Sequence, residues 1–254
     1  MKKIYFVLLT LLLILTGCAF NTDTKEEETL IIGLDDTFVP MGFRDESGNL
    51  VGFDIDLANA VSELTGLNFE FQPIDWTLKE TELNQGNIDM IWNGYSITAS
   101  RQEEVLFSDA YLENRQIIVV LSDSDINSLT DLQDKVVSVQ KDSSALEAVS
   151  SEPDTLATFD NGQVLQFDSN VDLFLDLEAK RSDAIILDEI FADYMMKQRG
   201  VDNYRVLSDN FGTESYAIGF RKDDTELQQT INDALKTLID NGTYDQIMSK
   251  WFND

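Results

Sequence analysis

The run Asn93-Gly94-Tyr95-Ser96-Ile97-Thr98-Ala99-Ser100-Arg101 holds residues suited to gripping an anion. An arginine can give a carboxylate two parallel hydrogen bonds, and the hydroxyls of Ser96 and Thr98 can add single donors. Gly94 lets a ligand come close to the backbone. The apolar residues 88–92 just before it read as a buried strand, so such a clamp would sit at a strand end. The same residue types also make an ordinary strand, turn and helix start with a surface arginine. These residues alone do not choose between the two.

A clamp needs elements to hold it, and the rest of the chain supplies an alternation of strands and helices. Residues 30–34 read as a first strand. Asp54 is placed to N-cap a helix through Thr65, with Ile55, Ala58, Val61 and Leu64 at helical spacing and Gly66 as its stop. Phe69 and Phe71 alternate with polar residues as in a strand, and residues 77–85 suit a short helix. The β-branched run 116–121 gives way to polar 122–127, which marks a lobe crossover. Residues 136–140 and 184–187 are further buried strands, with helices expected over 143–150 and 171–180. Ser144 with Glu147 forms a capping-box pattern, as does Thr225 with Gln228. A strand over 216–220 carries the chain back. The last amphipathic stripe, Leu227, Ile231, Ala234, Leu235, Leu238 and Ile239, ends at Gly242. The alternation predicts α/β layers, and the two crossovers predict two lobes in one chain. Lobe 1 is expected over 30–120 and 212–254, and lobe 2 over 121–211.

Composition removes several function classes. The 254-residue chain has no histidine and one cysteine, Cys18. Catalytic triads and metal sites built on histidine are therefore absent, as are disulfides within the chain. A formal net charge of −29 opposes nucleic-acid binding and attraction to anionic lipid headgroups. No metal or cofactor is expected. Asp123-Ser124-Asp125-Ile126-Asn127 begins like a calcium loop, but Ser128 and Asp134 stand where the glycine and glutamate belong, so it reads as a polar turn. Asn241-Gly242-Thr243 matches a glycosylation sequon but is better read as a helix end.

Three ordered stretches carry a resemblance. They are the 93–101 run, Gly52-Phe53-Asp54-Ile55-Asp56-Leu57-Ala58-Asn59-Ala60-Val61, and the ending Asn241-Gly242-Thr243-Tyr244-Asp245-Gln246-Ile247 with Lys250-Trp251-Phe252. Together they resemble the bacterial extracellular solute-binding proteins, family 3, which serve ABC importers of polar amino acids. The similarity runs from about Leu30 to the C-terminus. It implies a two-lobed periplasmic-binding-protein-like fold (type II), with the ligand in the cleft between lobes.

The resemblance also implies roles. Arg101, Ser96 and the Gly94 region would meet the ligand carboxylate. Gln140-Lys141-Asp142-Ser143-Ser144 resembles the turn whose Ser143 and Ser144 N–H groups close on that carboxylate. Aspartate at 142 departs from the usual glycine. Asp188 matches the acidic residue that receives the ammonium, although the same position also suits a helix N-cap. Asp35 and Phe38 match positions that meet the ligand side chain, and Trp76 the aromatic on the facing wall. Core packing is the commoner fate of such aromatics. Glu214 and Trp92 are weaker candidates. An acidic Asp35 favours glutamine, arginine, lysine, histidine or cystine over glutamate and aspartate.

The N-terminus predicts export. Lys2 and Lys3 precede an apolar run over 4–15, too short to span a bilayer comfortably. Leu15-Thr16-Gly17-Cys18 resembles a lipoprotein cleavage box, with residues 1–17 as signal peptide, Cys18 acylated and 18–29 as a flexible tether. The expected protein is a monomeric, lipid-anchored receptor that takes a free polar amino acid to an ABC permease and its ATPase subunits. An enzyme on the same fold, a dehydratase or lytic transglycosylase, is the competing reading. A sensor domain feeding a kinase is a third.

Overall fold

The computed structural model describes residues 29–252. The expected signal peptide, Cys18 and almost all of the tether lie outside them. Among the described residues, one mixed nine-stranded sheet runs through both lobes. At its centre lie two long antiparallel strands, Leu112–Leu121 and Tyr204–Phe220. On one side the parallel strands Met90–Ser96, Thr29–Leu34 and Asn68–Pro73 follow in that order. On the other side come Ala184–Asp188, Val137–Gln140 and Leu165–Phe167. A three-stranded sheet, Thr37–Phe38, Gly42–Arg44 and Leu50–Val51, stands apart.

The two long strands pass between the lobes as one pair. Tyr204, Arg205 and Val206 pair with Leu121, Val120 and Val119, and the register then shifts. Thr213 to Tyr216 pair with Arg115 to Leu112. The return strand is therefore much longer than residues 216–220, because its polar first half, with only part of its side chains buried, carries no apolar run.

Helices fill both faces. Phe53–Thr65 buries Phe53, Ile55, Leu57, Ala58 and Val61, and Gly66 closes it in the left-handed conformation. Thr225–Asp240 buries Ile231, Ala234, Leu235 and Leu238. Leu64 and Ile239, both in last turns, are exposed. Gly242, with φ of 80°, follows the end of Thr225–Asp240 as expected, and a further helix, Thr243–Phe252, comes after it. Tyr244, Ile247, Met248 and Trp251 of that helix pack on the main core.

Four local expectations are corrected. The strand after residue 88 does not stop at Trp92. It runs Met90–Ser96 and is buried throughout, because Tyr216, Ala217 and Gly219 of the return strand pair with it. Asp54 is not an N-cap. Gly52 takes that place, and the Asp54 carboxylate is drawn inside by the Gly94 N–H at 2.7 Å and the Tyr111 hydroxyl at 3.1 Å. Ser143, not Ser144, caps Ser144–Ser150 by accepting the Leu146 N–H, while Glu147 reaches over to the Ser100 hydroxyl at 2.8 Å. Asp224 precedes Thr225–Asp240, and the Gln228 amide donates to the Phe107 carbonyl instead of back to the cap.

Candidate functional site

The strand ends at the middle of the sheet converge on one small cavity. Asp35, Phe38, Trp76, Gly94, Ser96 and Arg101 line it from lobe 1, and Ser143, Ser144 and Asp188 from lobe 2. Its volume is about 10 Å³, room for about one water molecule. Anything larger enters only when the walls part.

Arg101 is 7% exposed and held on several sides. Its guanidinium donates to the Ser96 carbonyl at 3.0 Å and across the cleft to the Asp142 carbonyl at 3.1 Å. It also lies 4.6 Å from the centre of the Tyr95 ring, a favourable cation–π geometry. The Gly94 N–H is spent on Asp54, so what Gly94 gives the cavity is a backbone without a Cβ. Its φ is +55°, and an added Cβ would stand 2.8 Å from the Phe38 ring. Burial raises the Asp54 carboxyl to about 7, against the two donors that bond it.

Asp188 ends the strand Ala184–Asp188 and precedes the helix Glu189–Arg199, but its side chain caps nothing. Its carboxylate accepts from the Tyr216 hydroxyl at 2.6 Å, the Asn114 amide at 2.7 Å and the Gln116 amide at 3.2 Å. Burial, and then the charge of neighbouring Glu214, raise its pKa to about 7. Glu214 does not line the cavity. It accepts from Ser96 (2.6 Å), Asn114 (2.7 Å), Gln116 (2.9 Å) and Ser144 (3.3 Å), which ties both lobes to the return strand. A buried carboxyl with an acidic neighbour, as Asp188 has, favours a proton on itself or a cation beside it.

Asp35 accepts from the Thr37 N–H and hydroxyl, and from the Gln140 amide of lobe 2 at 3.1 Å. Desolvation raises its pKa above the ordinary carboxylate value despite those bonds. Phe38 packs on Phe191 of lobe 2 with ring centres 5.3 Å apart, and Trp76 stands edge-on to Tyr95. Trp92 is a core residue: it packs edge-on near Phe69 and does not reach the cavity, because its strand faces it inward.

Two lining residues were not foreseen. Asn93 accepts the Asp35 N–H at 3.0 Å and so sets the first loop. Gln140 bridges Asp35, the Asp168 carbonyl and Asn170. Gln140 ends its strand, and Asn93 lies within Met90–Ser96 beside Gly94. Among the described residues, no group of three or more carboxylates or other ligating side chains is placed to hold a metal ion. No helix there is long and apolar enough to cross a membrane.

Residues 30–254 match the model of the bacterial extracellular solute-binding proteins, family 3. The chain is 32% identical over 94% of its length to the arginine-binding extracellular protein ArtP of Bacillus subtilis, covering 92% of that protein. It is 31% identical over its whole length to the lysine/arginine/ornithine-binding periplasmic protein of Escherichia coli, covering 98% of it. Among solved structures it resembles a substrate-binding protein of an ABC uptake transporter from Streptococcus pneumoniae with bound histidine. There the TM-score is 0.87 and the identity 39%, over 89% of this chain and 93% of that one.

Proposed function

The chain belongs to the bacterial extracellular solute-binding proteins of family 3, and from that premise we propose that it captures a free polar amino acid in its inter-lobe cleft for an ABC importer. One observation carries the ligand class: the cavity wall joins one guanidinium, Arg101, to two carboxylates, Asp35 and Asp188. A basic amino acid offers the complement, one carboxylate and two cationic ends. Each buried charge then has a partner, which is the condition for burying charges at all.

On this reading Arg101 and Ser96 hold the carboxylate, and Ser143 and Ser144 close over it. Asp188, with Glu214 behind it, receives the ammonium. Asp35, flanked by Phe38 and Trp76, meets the far end of the side chain. Arginine, lysine and histidine suit this wall best, glutamine and cystine follow, and a second carboxylate meets Asp35 with like charge. The names of the relatives, which bind arginine, lysine, ornithine or histidine, support this order. The domain itself does no covalent chemistry. It is a monomer held at the membrane by an acylated Cys18 and a tether up to residue 29, and it hands its ligand to a permease driven by ATPase subunits. The lobe division at 30–120 with 212–254, and 121–211, belongs to the same proposal.

Equilibrium dialysis with labelled arginine tests the selectivity. Lysine, histidine, glutamine or cystine should displace it, and glutamate and aspartate should not. Glutamate winning the competition would overturn the assignment of Asp35.

A further inference from the structure

The turn between the strand Val137–Gln140 and the helix Ser144–Ser150 is held from the opposite lobe. Asp142 has a φ of 49°, a left-handed turn conformation that aspartate tolerates better than most residues and that its surroundings hold in place. Those surroundings are two cations of lobe 1. Lys79 Nζ and Arg101 Nη2 each donate to the Asp142 carbonyl at 3.1 Å. Lys79 is 2% exposed, and its other acceptors are the Trp76 carbonyl at 3.1 Å and the Glu80 carboxylate at 3.2 Å.

An ammonium has three protons to donate. In this arrangement each has an acceptor, and the third acceptor comes from the other lobe. Burial and the nearby Arg101 charge disfavour the charged amine, while Glu80 and Asp142 favour it. The Asp142 charge is near enough to favour the Lys79 ammonium, while the hydrogen bonds go to its backbone carbonyl. Lys79 does not line the ligand cavity, whereas Ser143 and Ser144, the next two residues, do.

We propose that Lys79 is a positioning residue: with Arg101 it captures the Asp142 carbonyl of the opposite lobe and latches Ser143 and Ser144 over the bound ligand. The inference rests on reading this cleft as the amino-acid site. Arg101 serves both ligand and turn, while Lys79 serves the turn alone. Opening the cleft takes from Lys79 an acceptor that closure restores.

Two measurements on Lys79→Met, with Lys79→Gln and Lys79→Arg beside it, test the latch. In ligand-free protein, hydrogen exchange over 140–146 should quicken about tenfold in the first two variants, with the strand Thr29–Leu34 unchanged. That is the loss expected for about one charge-assisted hydrogen bond. With arginine bound, dissociation should quicken by the same factor while association stays within about twofold. Lys79→Arg keeps a cationic donor and should stay within about threefold of the parent in both. Unchanged exchange in folded Lys79→Met or Lys79→Gln overturns the latch, and so does equal loosening of Thr29–Leu34. Failure of the parent to bind any amino acid would sink the functional reading. The exchange comparison would still judge the latch, and Lys79→Gln serves if Lys79→Met does not fold.

Discussion

Arg101 is set before any ligand arrives. The Ser96 carbonyl and the Tyr95 ring of its own lobe fix its guanidinium, and the Asp142 carbonyl joins them on closure, so little side-chain entropy remains to be lost on binding. Arg101→Ala should weaken amino-acid binding by about 100-fold or more, the usual cost of leaving a buried charge unpaired. Circular dichroism should show an intact fold, and retained affinity in calorimetry would remove Arg101 from the site. Asp188 adds a pH dependence. Its pKa is raised to about 7, so below that pH an incoming ammonium must displace a proton. Affinity for arginine should therefore fall as pH drops below 7, approaching about tenfold per unit, and stay level above it. Calorimetry between pH 5 and 8 reads this directly, and a flat profile would contradict the placement of the ammonium. Arg101, Asp188 and Asp35 were expected at the cavity from the family resemblance, and they line it. Asn93, Gln140 and Lys79 were not foreseen, because their partners lie far along the chain. Lys79 meets Asp142 across a separation of 63 residues.

The strand Met90–Ser96 shows how an element carries the site. Its hydroxyl and glycine residues read locally as a turn, yet pairing with Tyr204–Phe220 keeps the segment in the sheet and buried. Partner strands, not intrinsic preference, decide such a segment. Gly94 is the position where the element has no slack. A methyl there would press on the Phe38 ring at 2.8 Å and Tyr216 at 3.1 Å, at a φ that alanine resists. Gly94→Ala should lower the melting temperature by several degrees and weaken binding by about tenfold or more. Parental melting and affinity would show that the strand end has room the packing denies. Helix cores were legible from their apolar stripes. Caps were less so: Asp54 and Ser144 both looked like caps, but each is bonded to a distant residue. A cap pattern in sequence competes with every donor that tertiary structure brings near.

At the scale of the whole molecule, the two lobes follow from two strands. Leu112–Leu121 and Tyr204–Phe220 each serve both halves of one sheet. Closing the lobes requires only that this pair bend, and hinge motion of this kind needs few residues to change conformation. The sequence suggested two strand-like crossovers, and two long strands do run between the halves of the sheet. The crossings lie inside them instead of at the polar stretch after residue 121. The closed cleft was not legible, since it depends on contacts such as Phe38 on Phe191 and Ser96 on Ser144 that no local pattern encodes. A ligand must part these contacts to enter and then replace them. The most direct test is the melting temperature of the protein with each amino acid in turn, followed by titration calorimetry on any that shifts it. A basic amino acid at about 100 times its dissociation constant should stabilise the fold by roughly 2.7 kcal/mol, with glutamate and aspartate giving no comparable shift. No shift with any amino acid, under conditions where the protein is folded, would contradict the account.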